Sequence, residues 1–189
     1  MVSCESIETE FGNSNIFFTR TAPQIALLDT IQTKDVASLS DSVINYVTVY
    51  RSGVVDHLDR IEVNIEIDNG AVQDLIDEAN ETDPLYRTDM MNRYVKAIAA
   101  EEGMFSIPST VTIPEGERSV VVPLTMKRSL VIPYENAYLN YTLSDYNNSA
   151  ITKDKMLVLG IRMTQTSSHQ ILESKSFCYF EIIKAFVLE

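Results

Sequence analysis

The chain has 189 residues, 45% of them hydrophobic, which is enough for one ordinary core and short for two independent domains. Its 27 acidic and 15 basic side chains give a formal net charge of −12, the wrong sign for binding DNA, RNA or anionic lipid headgroups. Nucleic acid is therefore not an expected partner, and no apolar run approaches the ~20 residues that span a bilayer.

The first segment, residues 1–14, is predicted to be an acidic leader, followed by a single domain over residues 15–187. Within the leader, Val2-Ser3-Cys4-Glu5 resembles the end of a bacterial lipobox, in which a small residue precedes the cysteine that is lipidated after cleavage. Further acidic side chains follow at once. The pattern predicts lipid attachment at Cys4, and the two or three acyl chains of a mature lipoprotein would anchor the protein stably to a membrane.

Four segments in the first third of the chain have strand patterns. Residues 15–20 predict a short strand and residues 25–31 a second, less regular one, whereas residues 43–50 are rich in β-branched and aromatic side chains. Residues 61–67 alternate strictly between aliphatic and polar side chains, which is typical of a half-buried antiparallel strand. The acidic residues of this last strand, Glu62 and Glu66, are expected to face solvent without a chemical role.

Residues 71–102 change to helical spacing, interrupted at Asp83-Pro84. We therefore predict two helices here, the second of which stops near Gly103. The apolar positions that define the two helices are Val72, Leu75, Ile76 and Ala79, and then Met91, Tyr94, Val95, Ile98 and Ala99.

Residues 109–126, STVTIPEGERSVVVPLTM, read as two strands folded about a turn. Pro114-Glu115-Gly116 supplies the turn, because proline presets φ and glycine tolerates positive φ. Large apolar residues recur at every second position, which predicts that they lie on one face of the strand pair. They are Val111, Ile113, Val120, Val122, Leu124 and Met126.

Further strands are predicted at residues 104–107, 138–143, 156–163 and 177–186. Eight or so strands with one helical excursion favour an antiparallel β-sandwich with a one- or two-helix insertion at about residues 71–102. The chain is therefore assigned to the mainly β class.

The order of these features resembles the domain of unknown function that opens many Bacteroidetes surface lipoproteins, often ahead of a glycoside hydrolase, discoidin-like or lectin-like module. The resemblance covers roughly residues 15–184, and its most specific part is VTIPEG at residues 111–116, before a valine-rich strand. The helical segment and the tyrosine-rich residues 133–155 look longer than the family pattern requires, so they are interpreted as insertions.

The resemblance implies an immunoglobulin-like sandwich, export to the outer membrane on its periplasmic or cell-surface face, and a role beside glycan acquisition. It supplies no catalytic residues. It also implies O-glycosylation at Thr30 and Ser42, because Asp-Thr-Ile and Asp-Ser-Val are similar to the three-residue acceptor of exported proteins in that phylum.

Few residues offer catalytic or metal-binding chemistry. His57 and His169 both stand in polar, turn-like contexts, so we expect solvated loops and no hydrolytic triad. Cys178 lies in an aromatic-rich strand and is expected to be a buried thiol. The polar run at residues 145–154 lacks the glycine of a calcium loop and reads as a plain loop, so no metal and no cofactor are predicted.

A tyrosine cluster is the best candidate for ligand contacts. Tyrosine combines flat apolar area with a hydroxyl, which suits saccharide or protein partners. Two members of the cluster, three residues apart, would face opposite sides of a strand, so a structural role in the core stays open. The cluster consists of Tyr134, Tyr138, Tyr141 and Tyr146.

These observations predict a non-catalytic cell-envelope lipoprotein module, with a glycan or an envelope protein as its partner. A fimbrial or adhesin-like structural subunit is the alternative, because such subunits polymerise by strand addition. A hydrolase is the least favoured hypothesis, since it would need paired carboxylates with shifted pKa values in a deep pocket.

Overall fold

The computed structural model describes residues 15–19, 23–27, 41–53, 58–131 and 156–183. Two β-sheets pack face to face, and a small helical insertion covers part of one of them, which confirms the mainly β sandwich. In chain order the strands are β1 Asn15–Phe18, β2 Gln24–Leu27, β3 Ser42–Arg51, β4 Ile61–Ile67, β5 Ile98–Ala99, β6 Phe105–Ser106, β7 Thr110–Ile113, β8 Ser119–Lys127, β9 Leu157–Thr166, β10 Gln170–Ile171 and β11 Phe177–Ile183. The helices are α1 Asn69–Glu81, α2 Asp89–Tyr94 and α3 Arg128–Val131, with 3-10 turns at Pro84–Tyr86 and Glu173–Lys175.

The strand order agrees with an immunoglobulin-like arrangement. Sheet A runs β10-β1-β3-β8-β6 and sheet B runs β2-β11-β9-β4-β7, with β5 beside β9. The runs β1-β3-β8-β6 and β11-β9-β4 correspond to the ABED and GFC sheets of that sandwich. The long pairs are antiparallel as expected, whereas the short contacts of β1 with β10, β2 with β11 and β5 with β9 are parallel.

Strict alternation in the long strands builds the core between the sheets. In β3, Val43, Val47 and Val49 point inward, and β8 pairs with this strand over nine residues. Sheet B contributes inward residues from β4, β9 and β11, including Cys178, which is buried as predicted. Burial raises the pKa of the Cys178 thiol, because the thiolate would be desolvated there.

The segment 109–126 does not form a hairpin, and this prediction is wrong. Strand β7 pairs with β4 in sheet B, whereas β8 pairs with β3 in sheet A, so the turn at Pro114-Glu115-Gly116 carries the chain across the sandwich. Gly116 has φ of 79°, as the turn requires. The alternation itself is confirmed, since the apolar residues of both strands face the shared core from opposite sheets.

A buried arginine fastens this crossing turn to the end of β3. The guanidinium of Arg51 donates hydrogen bonds to the backbone carbonyls of Asp59, at 2.7 Å, and Glu117, at 2.6 Å. Burial lowers the pKa of Arg51, because the charged form loses water. The side chain thereby links the loop before β4 to the loop before β8.

The helical insertion begins as predicted but ends earlier. Helix α2 stops at Tyr94, and Lys96 takes a left-handed φ of 65°, so the predicted helical positions Ile98 and Ala99 instead form β5. The backbone N–H of Ile98 donates to the carbonyl of Met156, which pairs this segment with the start of β9. The wrong prediction arose because α2 and β5 together place apolar residues at spacings that a longer helix would also give.

Other boundaries also differ. The less regular second strand is Gln24–Leu27, and the one predicted at residues 104–107 is the two-residue β6. Gly103 lies in the turn before β6 with φ of 82°, not at a helix end. The strand predicted at residues 138–143 lies outside the described residues.

Candidate functional site

The outer face of sheet A exposes large apolar side chains to solvent. Ile44 and Tyr46 on β3 are 50% and 61% exposed, and Val121 on β8 is 58% exposed. The register places Tyr46 directly opposite Pro123 and Thr48 opposite Val121, so these side chains form one continuous patch. We call the patch formed by Ile44, Tyr46, Val121 and Pro123 the sheet A face.

The sheet A face is free of acidic residues, although the protein is strongly acidic overall. Neither β3 nor β8 contains an aspartate or a glutamate. Lys127 stands at one end of the face, where Asp41 accepts a hydrogen bond from the backbone N–H of Ser129. Beyond the other end, Lys175 Nζ lies 5.0 Å from the ring centroid of Phe17. An apolar surface of this kind is suited to contact with another molecule.

The helical insertion covers part of the outer face of sheet B. The first half of strand β9 is therefore buried on both sides: one side joins the sandwich core and the other packs under α1 and α2. The second cluster consists of Val72, Ile76, Tyr94, Ala97, Met156 and Val158, with Phe177 and Tyr179 packed against it. The insertion is thus an integral layer of the fold.

Two ion pairs join the insertion to sheet B. Arg93 of α2 binds the carboxylate of Glu181 on β11 with two hydrogen bonds, and the Glu181 side chain is fully buried. Asp68, just before α1, accepts a hydrogen bond from Arg162 Nε at 2.5 Å, and the Arg162 guanidinium lies over the ring of Phe177. Both pairs have structural roles, because each one fixes a helix to the sheet below it.

Asp68 also caps α1. Its Oδ1 accepts the backbone N–H of Ala71 at 3.0 Å. Burial on its own would raise the pKa of Asp68, but the hydrogen bonds from Ala71 and Arg162 and the charge of Arg162 outweigh burial and lower it. Asn69 and Gly70, which follow this cap, are the first residues of α1.

Because the pKa of Asp68 is lowered on folding, its contribution to stability is present above the unfolded value of about 3.8 and is lost as the pH falls through the lower folded value. We expect Asp68→Ala to lower the free energy of unfolding by about 0.5–2 kcal/mol near neutral pH, since the cap is removed. Denaturant unfolding at about pH 7 and about pH 3 measures this difference. It should shrink at the lower pH; an equal loss at both values would contradict the assignment. Asp68→Asn, which keeps a capping oxygen, is the matched control.

A polar depression of about 170 Å³ lies on the exposed part of sheet B, where β4 meets the end of β9. Asn64 accepts a hydrogen bond from Thr110 Oγ1 at 3.0 Å, and the backbone N–H of Glu62 donates to Ser167 Oγ at 3.1 Å. Glu62 and Glu66 are exposed, as predicted. These amide, hydroxyl and carboxylate groups could hydrogen-bond to a polyol, but several of these residues already hydrogen-bond to one another.

Most of the predicted site residues lie outside the described residues. These are Cys4, Thr30 and the cluster Tyr134, Tyr138, Tyr141 and Tyr146; the predicted solvated loop at His57 lies outside them too. Ser42 is the exposed first residue of β3, opposite Lys127. The tyrosine cluster therefore stays a prediction.

His169 lies in the turn between β9 and β10, as its context predicts, and is half-buried. Its backbone N–H donates to Thr166 Oγ1, and its Nδ1 lies 2.8 Å from Ser168 Oγ. Burial lowers the pKa of His169, with the charge of Arg51 acting in the same direction and Asp59 opposing both. These contacts belong to the turn.

The described residues show neither a metal-ligand cluster nor a membrane-spanning helix. Those residues contain no group of three histidine, cysteine, aspartate or glutamate side chains placed to hold a metal ion. The polar run at residues 145–154 lies outside them. None of the helices in the described ranges has the length and hydrophobicity needed to cross a membrane.

The exposed side chains of β3 were missed by sequence reasoning. The run VINYVTVY in this strand is apolar at both odd and even positions, a pattern that usually indicates a strand buried on both faces. The pattern shows that Ile44, Tyr46 and Thr48 lie on the same face of the strand. It does not show that this face is exposed, because burial depends on what packs against the sheet.

No family model matches the chain, and no curated protein matches it either. Solved structures from Bacteroides share its fold. A protein of unknown function from Bacteroides ovatus has a TM-score of 0.52 and 14% identity, with 90% of this chain and 47% of that chain covered. A two-domain protein of unknown function from Bacteroides fragilis has a TM-score of 0.51 and 13% identity, with 98% and 51% covered.

A third similar structure is a multidomain protein from Bacteroides ovatus that includes DUF1735. Its TM-score is 0.50 and its identity 14%, and the match covers 90% of this chain and 45% of that chain. The chain thus spans about half the length of these three structures. At such low identity the likeness establishes a common fold: this chain is an immunoglobulin-like β-sandwich of a kind that occurs within larger Bacteroides proteins.

Proposed function

We propose that this chain is a non-catalytic interaction module of the bacterial cell envelope, working beside glycan acquisition. The observation that carries the proposal is the sheet A face, an exposed and uncharged apolar patch on two central strands. The helical insertion covers part of the other sheet, whereas these side chains of sheet A stay exposed. A surface of this kind serves contact with a partner.

Placement at the outer membrane rests on two lines of support: the lipobox-like sequence at Cys4 and the fold shared with multidomain Bacteroides proteins. The anchor is tested by expressing the precursor with its signal peptide in a Bacteroidetes host and labelling it with a fatty-acid analogue. Wild type should incorporate the label and Cys4→Ala should not. Absence of label from both proteins, or its presence in both, would refute lipidation at Cys4.

Two surfaces are candidates for glycan contact. One is the sheet A face, where the exposed ring of Tyr46 lies beside apolar and hydroxyl-bearing side chains. The other is the tyrosine cluster, represented by Tyr138 and Tyr141. Because the sheet A face is uncharged, we propose neutral saccharides as the ligand class.

A neutral-glycan array probed with dilute protein tests this part of the proposal. We expect binding that falls at least tenfold in either Tyr46→Ala or Tyr138→Ala/Tyr141→Ala, and this comparison identifies the surface involved. Tyr86→Ala is the matched control, since Tyr86 is even more exposed than Tyr46 but lies on the insertion. If the array shows no binding, or if no tyrosine variant changes it, the glycan assignment is wrong.

A fimbrial or adhesin-like subunit is the second candidate function. Strand β7 is the last described strand of sheet B, which favours strand addition at that edge. However, β11 lies between β2 and β9, so its removal would open the middle of the sheet. Assembly by strand addition should give polymer ladders from cells that resist detergent and dissociate on heating. Monomer alone would count against this candidate.

A further inference from the structure

The loop between α1 and α2 presents two adjacent hydrophobic side chains to solvent. Leu85 is 86% exposed and Tyr86 is 79% exposed. They stand on the 3-10 turn Pro84–Tyr86, which is held by two hydrogen bonds to Asp83: its carboxylate accepts the N–H of Leu85 at 2.9 Å and its carbonyl accepts the N–H of Tyr86 at 2.8 Å. The turn is therefore preorganised, which lowers the entropy cost of using these side chains in a contact.

Acidic residues flank this turn on both sides in the sequence. Glu78, Glu81, Asp83 and Asp89 are all exposed. The neighbouring cation, Arg87, donates from Nε to the carbonyl of Thr82 at 3.0 Å. We call Leu85 and Tyr86, together with these four carboxylates, the acidic knob.

The exposed large hydrophobic side chains of the described residues thus fall into two groups with opposite electrostatic surroundings. Leu85 and Tyr86 lie among carboxylates, whereas Ile44, Tyr46 and Val121 lie on two strands that contain no acidic residue. Leu130, the sixth such side chain, follows the end of β8 that carries Lys127. An apolar patch with an acidic rim is complementary to an apolar patch with lysines at its ends.

We propose that the acidic knob of one copy of this chain docks on the sheet A face of a second copy. The inference rests on the proposed function, because it uses the sheet A face as a contact surface, and it adds the identity of one occupant. The two patches are different surfaces of the same molecule, so the contact is head-to-tail and leaves a free knob and a free face at the two ends. Repetition of the contact would give short linear assemblies or a ring.

The contact is small. Two side chains and their rim bury less surface than the ~1,200 Å² of a stable interface, so the association belongs to the transient class. It should therefore appear only in concentrated protein or where copies are held together on a membrane.

Sedimentation velocity of the purified protein over a concentration series tests the proposal. Wild type should show a mass that rises with concentration. A knob variant, Leu85→Ser/Tyr86→Ser, and a face variant, Tyr46→Thr/Val121→Thr, should each stay monomeric. All four positions are exposed, and circular dichroism before each run checks that the variants are folded.

Mixing the two variants provides the decisive result. The knob variant keeps an intact face and the face variant keeps an intact knob, so a head-to-tail contact predicts that the mixture forms a 1:1 dimer that cannot grow further. Monomeric wild type at about 10⁻³ M, well above the concentrations that transient contacts need, would overturn the proposal. Self-association of the knob variant alone would also overturn it, because that result indicates pairing between two sheet A faces. Glycan binding, measured on dilute monomer, can succeed or fail independently.

Discussion

Replacing Gly160 with alanine is expected to lower the free energy of unfolding by about 3 kcal/mol or more, because the added methyl group would overpack a tightly filled site. Gly160 lies in the middle of β9, directly under the start of α1. A Cβ atom there would lie 2.4 Å from the backbone oxygen of Asp68, 2.6 Å from Phe177 Cζ and 2.8 Å from Val72 Cγ2.

The oxygen of Asp68 cannot easily move away. The backbone N–H of Asp68 donates to the carbonyl of Gly160 at 2.9 Å, and its side chain caps α1 while binding Arg162. The methyl group would therefore separate the insertion from sheet B.

Chemical denaturation followed by circular dichroism measures this effect. Gly70→Ala is the matched control: Gly70 lies in the first turn of α1, and its Cβ would meet only Asp68 Oδ1 at 3.5 Å. That variant should be neutral or more stable by up to about 1 kcal/mol, because alanine favours helix. If Gly160→Ala stays within about 0.5 kcal/mol of wild type, the close approach of α1 to β9 is wrong.

The buried ion pair predicts a second large effect. Arg93→Ala should cost about 3–5 kcal/mol, because it deprives the fully buried carboxylate of Glu181 of its guanidinium partner. Strand β11 and helix α2 meet through this pair. Its loss should therefore loosen the insertion as well as destabilise the whole fold.

Two variants separate charge from packing. Arg87→Ala removes an arginine of the same insertion whose side chain donates to the carbonyl of Thr82, and it should cost about 1 kcal/mol or less. The double variant Arg93→Met/Glu181→Leu replaces the pair by apolar side chains of similar size and should recover most of the stability. A double variant no more stable than Arg93→Ala would contradict an origin in the buried charge.

The sequence predicted which side chains face the core far better than it predicted which strands pair. Alternation in β4, β7 and β8 depends only on the pleat, so it is readable in a single segment. Pairing depends on distant segments. The turn at residues 114–116 fits a hairpin and a crossing between sheets equally well, and the prediction of a hairpin failed for that reason.

The insertion shows the same limit. Its helical apolar spacing predicted α1 correctly, whereas the left-handed Lys96 and the pairing of β5 with β9 follow from tertiary contacts. The ion pair of Arg93 and Glu181 joins residues 88 positions apart in the chain, and no local pattern marks such a partnership.

For the candidate site, the sequence located apolar side chains on β3 but could not tell that one face of the strand stays open. Tyr46 and Tyr94 are both tyrosines in regular apolar patterns, yet Tyr46 is exposed whereas Tyr94, at the end of α2, is fully buried against sheet B. The difference arises because the helices cover sheet B and leave sheet A uncovered. The position of the insertion thus decides which of these two tyrosines stays exposed.

The helices cover sheet B at β11 and the first half of β9, whereas the sheet A face is open for contact. Hydroxyl-radical footprinting of dilute protein tests this difference most directly, because tyrosine oxidation reports side-chain exposure. Tyr46 and Tyr86 should react rapidly and Tyr94 slowly. If Tyr46 is as protected as Tyr94 in the dilute monomer, the sheet A face is covered and the proposed interaction surface is wrong.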